Sequence, residues 1–143
     1  MAAEIARYLI PESWKGRVEF GSAGLSASEG AGATVHARES LAGKGLSLTG
    51  HRSTRFSASS AAGADLIVAM TRDHAARIAS IFPEAGEKLI VLGTLDPERD
   101  DPDVPDPMGG TGDDYAATRD DLFGLVRRLI GYMKERFGAN LPG

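Results

Sequence analysis

The stretch Ala64-Asp-Leu-Ile-Val-Ala-Met70 constrains this chain more than any other. After Asp65 every position is apolar, without the alternation of a half-solvated strand, which is the pattern of a strand buried on both faces of a parallel sheet. Thr71 follows at once, and its hydroxyl suits the cap of a helix over Arg72 to Phe82, with Pro83 beyond it. Lys88-Leu-Ile-Val-Leu-Gly93 repeats the two-sided apolar pattern as a second buried strand. Parallel strands need a crossover, so helices are expected on both faces of the sheet.

The remaining segments extend the alternation. Residues 2–10 read as a helix, with Ile5, Tyr8 and Leu9 on one face and Pro11 at its end. Arg17-Val-Glu-Phe-Gly-Ser-Ala-Gly24 alternates and ends in small residues, which predicts a strand running into a tight loop. Residues 25–33 are rich in Gly, Ala and Ser and read as loop; Thr34 to about Ala42 reads as a short helix stopped by Gly43 and Gly45. A terminal helix from about Asp114 to Phe137 carries Leu122, Leu125, Val126, Leu129 and Met133 on its inner stripe. The expected fold class is one α/β domain over residues 1–143, a parallel sheet flanked by helices in three layers. The series opens on a helix, as if half a βα unit were missing before it.

Composition narrows the chemistry. The chain contains no cysteine, which removes disulfides, thiolate metal sites and cysteine nucleophiles from within these 143 residues. A formal net charge of −4 with no long run of either sign argues against nucleic acid or an anionic membrane as the main partner. The apolar runs are too short to span a bilayer, and Glu4 and Arg7 fit no signal-peptide layout, so a cytoplasmic protein is expected.

In folds of this kind ligands bind beyond the carboxyl ends of the strands. Three segments are expected to meet there: Ser22-Ala-Gly24, Thr71-Arg72 and the loop holding Asp106. Pro105 and Pro107 stiffen the backbone on either side of Asp106, and a held carboxylate at that place could donate a proton to a leaving oxygen. The competing reading is a solvated, turn-forming acidic loop, which also accounts for Asp96, Asp100, Asp101 and Asp103. Their spacing fits no calcium loop, and neither metal nor cofactor is expected. His51 reads as a base, a supporting hydrogen bonder or a structural residue, whereas His36 and His74 fall on helix surfaces. Gly109-Gly110-Thr111-Gly112 lacks the Lys-Ser/Thr ending of a phosphate cradle and reads as a hinge.

Taken together, Met1-Ala-Ala-Glu4, Gly21-Ser-Ala-Gly24, Gly50-His-Arg-Ser53, Ala64-Asp-Leu-Ile-Val-Ala-Met-Thr71 and Asp106-Pro-Met-Gly-Gly110 resemble, in order, the low-molecular-weight protein-tyrosine phosphatases. The arsenate reductases share that fold. In this family the first strand ends in a Cys-x5-Arg phosphate loop at the head of the first helix; the thiolate attacks phosphorus and the loop amides hold the oxygens. The resemblance implies Asp106 as general acid and base, Ser22 and His51 as supports beneath the loop, and Met108 beside the substrate in place of a commonly aromatic residue. The implied partners are a phosphotyrosine protein or a small aryl phosphate.

Met1 aligns with the methionine after the phosphate loop, so the family's first strand, nucleophile and arginine fall outside the chain. The expectation is therefore an N-terminally incomplete domain, inactive as given, whose start is set at an internal methionine. The alternatives are a non-catalytic phosphatase-like binding or regulatory module and, last, an arsenate reductase. Family sheets order their strands 2-1-3-4, so the absent strand is central. Each backbone group it would leave buried and unpaired costs about 1–3 kcal/mol, against a typical domain stability of roughly 5–15 kcal/mol.

Overall fold

In the computed structural model, residues 1–23, 56–107 and 110–141 are described. Helix α1 (Ala2–Leu9) leads into a 3-10 turn at Glu12–Trp14. After the described chain resumes, a short α2 (Ala58–Gly63) precedes strand β1 (Ile67–Ala69) and α3 (Arg72–Ile81). A 3-10 segment over Pro83–Lys88 leads to β2 (Leu89–Val91), a further 3-10 turn spans Leu92–Leu95, and α4 runs over Gly112–Phe137.

The two strands pair in parallel, with Ile67 opposite Leu89 and Ala69 opposite Val91. Their side chains divide between two cores. Ile67 and Ala69 point into a cluster with Ala61 of α2, Ile78 of α3 and Ala85. Leu66, Val68, Met70 and Ile90 pack on the opposite cluster, built from α1 and α4. The continuous apolar run thus serves both faces, and the molecule is an α/β layout with helices on each side of a parallel sheet. Both strands are shorter than the runs that encode them, because α2 ends at Gly63 and the chain turns into 3-10 geometry at Leu92.

The larger core lies between α1 and α4. Leu122, Leu125, Val126, Leu129 and Met133 are all buried on α4, as the stripe predicts, and Tyr115, Phe123 and Ile130 join them. On α1 the buried residues are Ile5 and Ala6, while Tyr8 is 57% exposed with its ring edge-on to Phe123. At 100° per residue, Ile5, Ala6 and Leu9 centre a stripe that leaves Tyr8 at its margin, so the expected face is shifted by one residue. Trp14, only 1% exposed, closes this core from the 3-10 turn.

The segment expected as a strand over 17–24 differs. Val18 and Phe20 pack on the α1–α4 core while Glu19 is exposed, so the period of two is present. No ladder is formed by residues 17–23 among the described residues. A strand requires a partner as well as a pattern, and alternation supplies only the second. Gly16 begins this segment at φ +82°, a left-handed conformation that disfavours any side chain.

Capping fixes the helix starts. Thr71 accepts from the His74 amide at 3.1 Å, as expected from its position. Thr111 caps α4 reciprocally: its hydroxyl accepts from the Asp114 amide at 3.2 Å, and its own amide donates to Asp114 Oδ2 at 2.9 Å. Gly110 and Thr111 therefore build a helix start, and Gly112 lies inside the helix, where a hinge was expected. Thr111→Ala is expected to cost about 1 kcal/mol, read as a lower midpoint in urea unfolding.

Candidate active site

The parallel strands end at Ala69 and Val91, and two segments are tied together beyond β1. Val104 donates its amide to the Met70 carbonyl at 2.8 Å, docking the acidic loop onto the end of β1. Asp103 accepts from the Arg72 amide at 2.8 Å and from Arg72 Nε at 3.2 Å. The first amide of α3 and its macrodipole thus face a carboxylate from the chain itself. The Arg72 amide, then its guanidinium, hold the Asp103 carboxyl below the ordinary carboxylate range. Reciprocally, hydrogen bonding to Asp103 raises the Arg72 guanidinium further.

The head of α1 is different, because Met1 at its N-cap makes no side-chain capping hydrogen bond. Burial lowers the pKa of the Met1 α-amine, opposed by the carboxylates of Glu4 and Asp106. Asp106, exposed at the tip of the loop, is therefore in electrostatic reach of the α1 N-terminus. Downstream, the Gly110 amide donates to the Pro107 carbonyl at 2.8 Å, closing a turn that leads into the Thr111 cap. Asp106 is thus held between an anchor on β1 and an anchor on α4.

The loop itself is tightly seated. A Cβ placed on Gly93 would lie 2.0 Å from the Pro102 carbonyl oxygen and 2.6 Å from its carbon. Only glycine admits that approach, so Gly93→Ala is expected to push the acidic loop off the sheet. The expected cost is about 1–3 kcal/mol or more, measured as a lowered denaturation midpoint together with shifted amide resonances over 101–107.

Of the acidic residues expected to be solvated and turn-forming, Asp100 is exposed, whereas Asp96, Asp101 and Asp103 are engaged. Asp96 accepts from the Glu98 amide at 3.1 Å and lies 3.6 Å from Arg128. Asp101 accepts from the Asp103 amide at 2.9 Å and sits 3.5 Å from Arg72. They form turns, as expected, but ion pairs also bind those turns to α3 and α4. Sequence gives no sign of which arginine meets which aspartate across 20 or 30 residues. Among the described residues, no group of three or more His, Asp or Glu could hold a metal ion. Among them, too, no helix is long and apolar enough to cross a membrane.

Of the residues singled out in the sequence, Asp106 and Ser22 are described, and both are exposed. The segment before Ser22 is held alongside α1, where the Arg7 guanidinium donates to the Phe20 carbonyl and pairs with Glu4. His51, Met108 and the helix expected from Thr34 lie outside the described residues. Arg72 was placed at the strand ends and Asp103 in the acidic loop, but their bond and the loop-fixing roles of Arg99 and Gly93 were passed over in the sequence.

The head of α1 thus lacks a side-chain cap and lies within electrostatic reach of the Asp106 carboxylate; backbone amides at a helix start favour an oxyanion. The family model described as Low molecular weight phosphotyrosine protein phosphatase matches residues 1–138. A protein-arginine-phosphatase of Geobacillus stearothermophilus is 39% identical over 112 residues, which is 78% of this chain and 74% of the relative. The low molecular weight protein-tyrosine-phosphatase Wzb of Salmonella typhi is 35% identical over 96 residues, 67% of this chain and 62% of its own. The solved structure of YwlE arginine phosphatase from Geobacillus stearothermophilus superposes with a TM-score of 0.84 at 33% identity, covering 99% of this chain and 88% of that one. The chain belongs to the low molecular weight protein phosphatase family, whose members named here include both tyrosine and arginine phosphatases.

Proposed function

We propose that these residues are the scaffold and proton donor of a cytoplasmic phosphoprotein phosphatase that works through a phosphocysteine intermediate. The observation that carries this reading is the Asp106 carboxylate within electrostatic reach of the uncapped head of α1. The oxyanion binds at that helix start, where backbone amides and the macrodipole favour negative charge. A thiolate attacks phosphorus, the bond to the leaving group breaks, and Asp106 passes its proton to the departing atom. The Asp106 carboxylate then takes a proton from water, which attacks the phosphocysteine and frees phosphate and the thiolate. Ser22 and His51 support the loop in this reading, and Met108 flanks the substrate.

Because the sequence contains no cysteine, the attacking sulfur in this reading belongs to residues outside 1–143. Purified 1–143 is accordingly expected to leave a chromogenic aryl phosphate unhydrolysed. Turnover by that chain, abolished by Asp106→Asn, would show that the nucleophile lies within it and overturn the reading. The codons upstream of Met1 give a second check, since an in-frame Cys-x5-Arg-Ser-Pro is expected there.

For the substrate, phosphotyrosine on protein is the reading that follows from the family description. A second reading, phosphoarginine, is favoured by the relative of higher identity, 39% against 35%, which is named for arginine. Cleaving P–N releases a strongly basic guanidine, which makes a proton donor at least as necessary as for a phenol. Peptides bearing each group, offered to the nucleophile-bearing protein, distinguish the two by kcat/KM.

A further inference from the structure

Asp106, in electrostatic reach of the head of α1, follows a segment, residues 96–104, that has little apolar surface to hold it. Val104 alone in that segment is fully buried. Beside the Arg72 and Arg128 ion pairs, one guanidinium ties the loop backbone to α4. Arg99 Nε donates to the Asp101 carbonyl at 2.6 Å, and Arg99 Nη2 donates to the Asp103 carbonyl at 3.1 Å. The same guanidinium meets both carboxylate oxygens of Asp121 on α4, at 2.6 and 3.0 Å. A planar guanidinium presents its donors in a rigid fork, so these bonds fix an orientation as well as a distance. Exposed ion pairs contribute about 0–1 kcal/mol, but this side chain is only 20% exposed and also satisfies two loop carbonyls.

The geometry points to Arg99, braced by Asp121, as a positioning residue for Asp106. It ties the carbonyls on either side of Pro102 to α4, while Arg72 grips Asp103 from α3. Between them they set where Val104 docks on Met70, and Asp106 follows two residues later. This inference rests on the reading of Asp106 as proton donor. Lysine cannot replace the fork, since a single ammonium cannot span two carbonyls and a bidentate carboxylate.

The test uses chain 1–143 with Arg99→Gln, Arg99→Lys, Asp121→Asn and Asp106→Asn, read by amide hydrogen exchange and by titration of the Met1 α-amine. In Arg99→Gln the Val104 amide is expected to exchange about 10–100-fold faster, the loss of charge-assisted bonds, while the β1–β2 ladder amides keep their rates. The Met1 α-amine is expected to titrate at lower pH, because the Asp106 carboxylate no longer stands over it. Adding Asp106→Asn to Arg99→Gln is expected to move it no further. Asp121→Asn is expected to act in the same direction, and it carries the test if Arg99→Gln fails to fold; Arg99→Lys is expected not to rescue. Uniform acceleration of Val104 and the ladder, with the α-amine unmoved, would make Arg99 a plain stabiliser and overturn the proposal. If Asp106 is displaced as described yet Asp106→Asn leaves turnover intact in a nucleophile-bearing chain, the proton-donor reading falls and the positioning stands.

Discussion

Asp106→Asn, in a polypeptide that carries a Cys-x5-Arg loop of the family's pattern ahead of Met1, is expected to lower kcat for phenyl phosphate by about a hundred- to ten-thousandfold. The amide keeps the shape of the side chain and its place between Pro105 and Pro107, so binding geometry survives while the transferable proton is lost. An unperturbed phenol has a pKa of about 10, so it departs poorly as an anion, and the full cost appears with that leaving group. A nitrophenolate leaves without much help, and the loss there is expected to be smaller. KM is expected to stay level, since the amide is neutral like the protonated carboxyl that serves as donor. The measurement is a leaving-group series for wild type and variant; equal loss across the series would mean that Asp106 acts through the fold and not by proton transfer.

The parts of this architecture that sequence made legible are those fixed by local pattern. The run through Ile67-Val-Ala69 is apolar on successive residues because it serves two cores, and a two-sided strand has no other way to be written. Thr71 and the α4 stripe are equally local, since a cap and a 3.6-residue period need only their own neighbours. Asp106 could be singled out because two prolines mark its backbone.

What stayed hidden is long-range. Arg99 and Asp121 are 22 positions apart, and nothing in either residue's surroundings announces the other. Gly93 looks like the end of a strand, yet its lack of a side chain is required by Pro102 lying against it. The Val18–Phe20 alternation was legible but not its fate, because a ladder depends on a second segment that the pattern does not name. The Ser57–Ser60 capping box that begins α2 was passed over, since a six-residue helix of Ala, Ser and Gly has no apolar period to reveal it.

Trp14→Ala is expected to have the largest effect on stability, about 3–5 kcal/mol. The indole is 1% exposed and packs in the core formed by Ile5, Ile10, Val126 and Ile130. It also sits where the backbone reverses, for its carbonyl accepts from both the Arg17 and Val18 amides at 2.9 and 3.1 Å. Truncation removes the side chain that holds this turn against α1, so the cavity and the loosened turn act together. A whole domain has roughly 5–15 kcal/mol to lose, and among the described residues β1 and β2 pair over only three residues each. Trp14 is the sole tryptophan, so unfolding of the variant must be followed by far-ultraviolet circular dichroism and not by indole emission. A loss under about 1 kcal/mol would place it with exposed substitutions, and the α1–α4 core would then not be the centre of stability argued here. A large loss carries a further consequence: the α1 start lies within electrostatic reach of Asp106, so the same substitution is expected to release the Asp106–Met1 coupling at temperatures below the unfolding midpoint.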